Sequence, residues 1–426
     1  MQLTFRALTL FSALAAATPG LADEPLSKGE YVARAANCLV CHTMQGGRPY
    51  AGGLRMNTPV GAIYATNITP DADTGIGKYS YDDFEKAVRQ GVRKDGSRLY
   101  PAMPYPSYAR LGDADTRDLF DFFMKEAKPA RQSNTPNEIS GLYSMRWTLG
   151  MWNWLGGGGP FRPNPEFDAE WNRGAWLVQG PGHCGACHTP RGWLFQEKAL
   201  DDNSGAFLAG AMLDNWSAPN LRGDLNTGLG RWSEDEIFDY LKKGYNRWGA
   251  AFGTMREVVT FSTSHLSNTD VKAMAKYLKS LSPSIDRAAR VWVYNNATVE
   301  ALNARKFAQP GSATFARQCA SCHGMDGRGG GALPALAGNP AVLDPDPASL
   351  INIVVNGAAP LDGEAAGDSD WMPQFRTFLS DGEIADVVTF IRSAWGNRAA
   401  ATEPARVKDI RQATIAGDRA QILHMR

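Results

Sequence analysis

The sequence has no excess of charge of either sign. Its 426 residues include 44 basic and 44 acidic side chains, and the Lys and Arg residues form no long run. Proteins that bind nucleic acids usually concentrate basic residues on one face or in one segment. The even balance therefore argues against a nucleic-acid partner.

Long apolar runs are also scarce. The one near the N-terminus, residues 7–17, follows Arg6 and leads to Gly20-Leu21-Ala22. It is shorter than the ~20 residues that a membrane-spanning helix needs, and small residues before a cut are typical of a secretory signal peptide. We predict a signal peptide over residues 1–22, with a short membrane anchor as the alternative. The exported mature chain is then soluble or attached peripherally to a membrane.

Cysteine is rare too, and its placement is regular. All six cysteines occur in three copies of Cys-x-x-Cys-His, namely Cys38, Cys41 and His42; Cys184, Cys187 and His188; and Cys319, Cys322 and His323. This pattern is the attachment signature of haem c. Two thiols can add to the two vinyl groups of one porphyrin, which places the adjoining imidazole beneath the iron as its proximal ligand. The sequence therefore predicts three covalently bound haem c groups.

The cysteines have three alternative explanations. An exported chain can hold structural disulfides, a Cys-x-x-Cys pair can be a thioredoxin-like redox centre, and such pairs can bind zinc. None of these explains a histidine directly after every pair. Zinc sites also need two pairs to share one metal, and three separated pairs leave one over.

Internal repetition divides the chain into three units. The segment Asn67-Ile68-Thr69-Pro70-Asp71, followed by Thr74-Gly75-Ile76-Gly77, has its counterpart in Asn220-Leu221-Arg222-Gly223-Asp224, followed by Thr227-Gly228-Leu229-Gly230. A third, more distant copy enters through Ala313-Thr314-Phe315-Ala316. We predict domains over 23–128, 169–282 and 310–398, connectors over 129–168 and 283–309, and a C-terminal tail over 399–426.

Each unit closes with a segment whose apolar residues recur at helical spacing. These residues are Leu119, Phe122 and Phe123; Val271, Met274, Tyr277 and Leu278; and Ile384, Val387, Val388 and Ile391. Candidate N-caps precede them at Asp113, Asn268 and Ser380. We expect a helix ahead of each attachment site to pack across the closing helix, with the haem filling the core.

An iron that only transfers electrons needs a sixth ligand, and methionine is a common one because its soft thioether raises the reduction potential. Turn-rich segments ahead of the closing helices supply Met103, Met255 and Met372 as the predicted distal ligands. Methionine often fills a core instead. The competing candidates are Met44, Met56, Met212 and Met325, and for the second haem also His183 and His265. We expect His183 to be a surface neighbour of Cys184.

The connector over 129–168 is longer than an ordinary loop between elements. It carries Trp147, Trp152 and Trp154 and the run Gly156-Gly157-Gly158-Gly159. We expect it to pack between domains. The alternative is a docking surface for a partner protein, a quinone or the membrane.

Together these motifs resemble a known family, the triheme cytochrome c subunits of bacterial membrane-bound dehydrogenases that act on alcohols, gluconate, glucose, sorbitol or fructose. The likeness spans nearly the whole mature chain and includes Tyr100-Pro101-Ala102-Met103-Pro104-Tyr105, Glu170-Trp171-Asn172-Arg173-Gly174 and Cys187-His188-Thr189-Pro190-Arg191-Gly192. It implies a mainly α fold of three tandem class I-like cytochrome c domains, each wrapped around one covalent haem. It also implies His42, His188 and His323 as proximal ligands and Met103, Met255 and Met372 as distal ones.

The resemblance further implies a role and partners. Electrons taken by a separate flavin- or quinone-cofactor dehydrogenase subunit would pass through the three haems to ubiquinone in the respiratory chain. This chain would then be no enzyme on its own, and would lie on the periplasmic face of the cytoplasmic membrane, with a small third subunit as a further candidate partner.

Members of that family are typically held to the membrane by a C-terminal helix. Here the tail over 399–426 scatters charged residues among few large apolar ones. Anchoring by this tail is therefore not expected. Attachment through the dehydrogenase partner or the Trp-rich connector is the alternative.

Two other function classes compete with electron transfer to a quinone. Multihaem c proteins include peroxidases and oxidases, in which one iron keeps an open position for its substrate. Cytochrome subunits of terminal oxidases and free periplasmic shuttles form the second class, but they do not need connectors of the kind found here. Iron coordination distinguishes the peroxidases and oxidases from an electron carrier, because methionine on all three irons leaves no open position.

Overall fold

The computed structural model describes residues 25–58, 60–213, 215–284, 291–331, 333–358 and 372–414. Within these ranges the chain is mainly helical, as predicted, and short antiparallel strands lie in its loops. The predicted signal peptide over 1–22 and the end of the tail from 415 onward lie outside the described residues. Among the residues described, no helix combines the length and the apolar character needed to cross a bilayer.

The first unit begins and ends with helices that contact each other. Its elements are α1 (Lys28–Ala35), α2 (Cys38–Cys41), β1 (Arg55–Thr58), β2 (Gly61–Tyr64), α3 (Tyr81–Gln90), α4 (Tyr105–Tyr108) and α5 (Asp113–Asp121), which continues into a π-helical turn over Phe122–Glu126. The connector adds β3 (Glu138–Ile139) to this hairpin, with Gly61 opposite Ile139. The connector then forms α6 (Leu149–Gly156).

The second unit repeats this plan. Its elements are α7 (Ala169–Gln179), α8 (Gly185–His188), β4 (Ala211–Leu213), β5 (Trp216–Ala218), α9 (Glu234–Lys243), β6 (Tyr245–Asn246), β7 (Gly249–Ala250), α10 (Thr254–Phe261) and α11 (Asn268–Ser280). In both units the threonine and glycine loop folds alike, because Ile76 N donates to Thr69 O at 2.9 Å and Leu229 N donates to Arg222 O at 2.8 Å. The duplication seen in the sequence is therefore a duplication of structure.

The third unit has its own hydrophobic core and extends past the predicted boundary at 398. Its elements are α12 (Ala297–Asn303), α13 (Ser312–Gln318), α14 (Ala320–His323), α15 (Pro340–Leu343), α16 (Ala348–Asn356), α17 (Asp381–Ser393) and α18 (Pro404–Ala413). Val407 and Ile410 of α18 are 0% exposed, and Arg411 Nε lies 2.7 Å from Asp381 Oδ1. The first part of the predicted tail is thus a helix of this unit, because two apolar residues at i and i+3 bury one of its faces.

In every unit a glycine lies where the helix ahead of the attachment turn meets the closing helix, and in the third unit this glycine is the N-cap of α13. A Cβ added to Gly29 would lie 2.1 Å from Asp118 O, one on Gly174 would lie 1.9 Å from Ala273 O, and one on Gly311 would lie 2.2 Å from Asp386 O. No side chain fits at such distances, so the backbones touch directly. The expected crossing of the two helices is present in all three units, and glycine permits it.

The helix N-caps agree with the sequence in one case and differ by one residue in two. Ser380 caps α17 as predicted, and its hydroxyl accepts from Glu383 N. The first and second closing helices are capped by Gly112 and Ser267, so Asp113 and Asn268 are their first helical residues. At α11 the reason is chemical, because the hydroxyl of Ser267 accepts from Asp270 N.

The first two units share one continuous hydrophobic core. Hydrogen bonds also join the first two units: Tyr31 Oη donates to Asp270 Oδ2 at 2.6 Å, and Trp176 Nε1 donates to Arg110 O at 3.3 Å. The second and third units meet through Ser217 and Ser349, with Ser217 N donating to Ser349 Oγ at 2.9 Å.

The connector packs between the first two units, as expected. Trp152 Nε1 donates to Leu194 O of the second unit at 2.9 Å, and its ring meets the edge of Tyr105 in the first unit at 6.1 Å. Tyr105 Oη also donates to Asn153 Oδ1 at 2.6 Å. Trp147 differs, because it is 76% exposed.

The helix crossing predicts a stability effect. Replacing Gly174 with Val forces α7 away from α11, because its side chain overlaps Ala273 O. Overpacking of this kind costs about 1–3 kcal/mol, so we expect the urea midpoint of the mature holoprotein to fall. Gly159→Val is the matched control, since nothing lies within 4 Å of a Cβ there. An unchanged midpoint for Gly174→Val, measured by far-ultraviolet circular dichroism, would contradict the close crossing.

Candidate functional site

Each Cys-x-x-Cys-His segment folds as a single helical turn. The turns are α2, α8 and α14, and in each the histidine N donates to the carbonyl of the first cysteine at 3.0 Å: His42 to Cys38, His188 to Cys184 and His323 to Cys319. Residues three and four apart on a helix share a face. Both thiols and the imidazole of each segment therefore lie on one side of the turn.

The three histidines are held in the same way from behind. Their Nδ1 atoms lie at hydrogen-bond distance from a loop carbonyl of the same unit: His42 is 2.7 Å from Thr66 O, His188 is 2.7 Å from Pro219 O and His323 is 3.0 Å from Pro334 O. A carbonyl oxygen can only accept, so Nδ1 carries the proton. This leaves the Nε2 lone pair of each ring available to a metal.

Burial also favours the neutral form of the three histidines. It lowers the pKa of His42, His188 and His323, and the hydrogen bond to the backbone carbonyl opposes the shift. A lowered pKa keeps the imidazole neutral near neutral pH, which is the form that binds metals. All three histidines are therefore neutral, fixed in orientation and open at Nε2.

Five of the six cysteines are partly buried, and Cys322 is exposed. Burial raises the pKa of Cys38, Cys41, Cys184 and Cys319 to about 12. A thioredoxin-like centre needs a lowered thiol pKa, so these turns do not have the electrostatics of that alternative.

A cavity of about 340 Å³ opens beside the first turn. Its wall includes Cys38, Cys41, His42 and the predicted distal ligand Met103. Residues 134–137 and Arg146 of the connector complete it. The connector thus contributes to a site that the sequence assigned to the first unit alone.

Met56 lines the same cavity from β1. Its counterpart on the corresponding hairpin of the second unit is Met212, on β4, which is 41% exposed. A ligand supplied by this hairpin would therefore not recur in the second unit. Position in the repeat favours Met103 over Met56.

The third turn also faces an apolar cavity. Cys319, His323 and the predicted ligand Met372 line it. The backbone of Met372 exchanges two hydrogen bonds of 3.0 Å with Ala358, which fixes the loop beside the cavity. Ala250 and Phe252 of the second unit close one side.

Met255 has a different local structure from the other two predicted ligands. It lies in the first turn of α10 rather than in a turn-rich loop, and Gly253 caps that helix with a φ of 57°. Its side chain is half-buried against the core shared by the first two units. The loop expected from sequence is replaced by a helix because Gly253, whose positive φ suits glycine, starts α10 with two residues between it and the β6–β7 hairpin.

The remaining candidates lie elsewhere. Met44 is exposed, Met325 packs on the third core, and His265 is exposed with its Nε2 3.1 Å from Thr260 O. His183, which we expected to be a surface neighbour of Cys184, is half-buried. Its ring packs edge-on against Tyr108 of the first unit at 5.7 Å.

Two carboxyl groups of the second unit lie near the attachment turns, Glu197 at the second turn and Glu257 near Cys41 of the first. Burial raises the pKa of Glu197 to about 7, opposed by Arg191 and Arg110, and that of Glu257 to about 8, opposed by Arg256. A Cβ added to Gly185 of α8 would lie 2.4 Å from Glu197 Oε2. The sequence predicts neither residue, since only the tertiary fold brings each of them to an attachment turn.

The three sites are neighbours. The pKa of Cys41 is raised by burial, by Glu257 and by Cys187 of the second turn, so the first two turns lie close together. Phe252, which lines the third cavity, is only three residues from Met255. The second unit therefore contacts both of the other sites.

Comparison with known proteins agrees with these sites. The family model described as Cytochrome c matches residues 26–126, 172–282 and 308–395, and each range contains one attachment turn. Three such matches imply three haem c groups, which confirms the predicted cofactor and the predicted fold class.

Whole-chain relatives are also known. The chain is 47% identical to the cytochrome c subunit of alcohol dehydrogenase (quinone) of Gluconacetobacter polyoxogenes, over 94% of this chain and 88% of that one. It is 47% identical to the gluconate 2-dehydrogenase cytochrome c subunit of Pantoea cypripedii, over 90% and 88%. It is 36% identical to the fructose dehydrogenase cytochrome subunit of Gluconobacter japonicus, over 92% and 84%. With three haem c groups and the character of an electron-transfer subunit rather than a catalytic one, this chain belongs to the cytochrome c family.

Proposed function

We propose that this chain carries electrons from a dehydrogenase subunit that oxidises an alcohol, a sugar or gluconate to ubiquinone. The dehydrogenase carries its own flavin or quinone cofactor, and a small third subunit accompanies it. The complex sits on the periplasmic face of the cytoplasmic membrane. The relatives described as subunits of alcohol, gluconate and fructose dehydrogenases support this assignment.

The observation that carries the proposal is the threefold histidine geometry. The Nδ1 atoms of His42, His188 and His323 all meet a backbone carbonyl, and Nε2 stays open. Such a carbonyl fixes ring orientation and raises the basicity of a metal-binding imidazole. These three histidines are the proximal ligands.

The cysteine pairs of the three attachment turns fit haem c. Cys38 and Cys41, Cys184 and Cys187, and Cys319 and Cys322 form the thioether links, because each pair shares a helical face with its histidine. When bound, haem c supplies reversible one-electron chemistry at iron. The residues attach it, orient it and exclude water from it.

Met103, Met255 and Met372 are the distal ligands. Met103 and Met372 line the cavities that also contain His42 and His323, and Met255 packs on the core that the first two units share. A thioether on each iron leaves no open position for peroxide or oxygen. This arrangement favours electron transfer over the peroxidase or oxidase alternative.

The three sites are arranged so that electrons can pass from one to the next. The first and second turns are close enough for Cys41 and Cys187 to influence each other, and Phe252 joins the second unit to the third cavity. Electrons can therefore cross the chain through adjacent sites, with the second in the middle.

The distal ligands are tested by single substitutions. Replacing Met103, Met255 or Met372 with Ala should convert one of the three haems to a high-spin form and remove about a third of the sulfur-to-iron charge-transfer band. Near-infrared absorption of the oxidised protein measures both changes. Met212→Ala, at an exposed position, should leave the spectrum intact.

Met56→Ala is the sharper control, since Met56 lines the same cavity as Met103. We expect it to keep the wild-type spectrum. If Met56→Ala creates the high-spin haem while Met103→Ala does not, the assignment of the first distal ligand is wrong.

The role in the complex is tested by purifying the chain from detergent-solubilised membranes with a tag. We expect a flavin- or quinone-cofactor dehydrogenase to accompany it. Adding that enzyme's substrate should reduce the haems, and adding a ubiquinone analogue should reoxidise them, both followed by visible absorption. Haems that no co-purifying dehydrogenase reduces, or that the quinone does not reoxidise, would reject the proposed donor or acceptor.

A further inference from the structure

Two arginine side chains line the first cavity, and no acidic side chain accompanies them. Arg93 lies in the loop that follows α3, and Arg146 belongs to the connector. Of the residues that the structure describes, no Asp, Glu or Lys lines this cavity. Most of the remaining wall is apolar. The cavity therefore combines an apolar wall with two positive charges.

One tight loop of the first unit holds both arginines. Arg93 lies at its start, where the backbone N of Arg93 donates to Ser97 O at 2.8 Å. At the end of the same loop, Arg98 O accepts from Arg146 Nη1 at 2.9 Å. The guanidinium carbon of Arg146 also lies 4.8 Å from the centre of the Tyr100 ring. These contacts fix Arg146 to the loop that carries Arg93, so one element of the fold positions both charges.

The protein does not neutralise these two charges. In the described part of the chain, neither Arg93 nor Arg146 forms an ion pair. The pKa of Asp95 is lowered by a hydrogen bond with Ser97 and also by the two arginines, but Asp95 is exposed and lies outside the cavity wall. Both arginines are partly buried, and a partly buried charge without a counter-ion is unfavourable. The cavity therefore suits a ligand with negative charges.

Haem c carries negative charges of the right kind. Its porphyrin has two propionate groups, which are carboxylates at neutral pH, on an otherwise apolar ring. A guanidinium binds a carboxylate through two parallel hydrogen bonds, and such charge-assisted pairs are stronger than hydrogen bonds between neutral groups. The apolar wall of the cavity suits the ring, and the two arginines match the two carboxylates in charge.

We propose that Arg93 and Arg146 bind the propionate carboxylates of the first haem, so that the connector completes a haem site that the first unit does not complete alone. The inference rests on the haem c groups described above and is independent of the dehydrogenase and of ubiquinone. A positive charge near the haem disfavours the ferric form, which carries one more positive charge than the ferrous form. The two arginines therefore raise the reduction potential of the first haem.

The second and third sites differ from the first in charge. Gly91 ends α3 and Gly244 ends α9, both in the left-handed conformation, so Arg93 and Asn246 occupy equivalent positions two residues later. Asn246 is neutral, and its side chain donates to Glu236 O at 2.8 Å. Around the third cavity, the described lining residues include no Arg or Lys. The predicted effect on the potential therefore concerns the first haem.

The test is a potentiometric titration of the purified mature holoprotein, followed by visible absorption and resolved into one-electron components. Arg93→Asn introduces the residue that the second unit has at the equivalent position, and Arg146→Gln removes the charge of the connector. Each should shift the equilibrium of one component about tenfold toward the ferric form, which lowers its midpoint potential by about 59 mV. Arg93→Lys keeps the charge and should retain most of the wild-type potential.

Lys94→Gln is the matched control. Lys94 is adjacent to Arg93 in the chain, but it pairs with Asp83 at 2.7 Å and lies outside the cavity wall, so its loss should shift every midpoint much less. Pyridine haemochrome analysis checks that each variant carries its full haem content.

Three results would overturn the proposal. Midpoints that stay unchanged in both Arg93→Asn and Arg146→Gln would show that neither arginine acts on the haem. An equal fall in Lys94→Gln would show that any nearby positive charge has the same effect. A midpoint in Arg93→Lys that falls as far as in Arg93→Asn would show that the charge of residue 93 does not set the potential.

Discussion

The hydrogen bond between the Nδ1 atom of each attachment histidine and a loop carbonyl is the interaction on which the structure depends. It occurs three times, at Thr66, Pro219 and Pro334. It connects the turn that carries the thiols to a loop of the same unit that lies behind the histidine. A haem c can therefore be held at a fixed angle only where that loop is in place, so the repeated loop motifs serve the same end as the cysteines.

A second constraint acts behind the sites. Gly29, Gly174 and Gly311 let the helix ahead of each attachment turn and the closing helix of the unit touch through their backbones. This close crossing keeps small units compact, with the haem as part of their core. The first two units then merge into one core, whereas the third keeps its own. Contacts through Phe252 and Glu257 leave the second unit adjacent to both others.

Much of this was predictable because the chemistry is local. The Cys-x-x-Cys-His spacing, the duplication around Asn67 and Asn220, and the period of α17 each reflect contacts within a few residues. The features that the sequence did not predict arise mostly from tertiary contacts. The sequence gives no sign that 404–413 folds onto the third unit, that His183 packs on Tyr108, or that Met255 starts a helix. Each depends on a partner that is distant along the chain or on one glycine conformation.

The most direct test of the account is spectroscopic. Pyridine haemochrome analysis of the purified mature protein gives the haem content per chain, and near-infrared absorption of its oxidised form reports the ligands. The account predicts three haem c groups, all low-spin, with a sulfur-to-iron charge-transfer band. A high-spin fraction in the wild type would reveal an open iron, contradict a chain that only transfers electrons, and favour an enzyme instead.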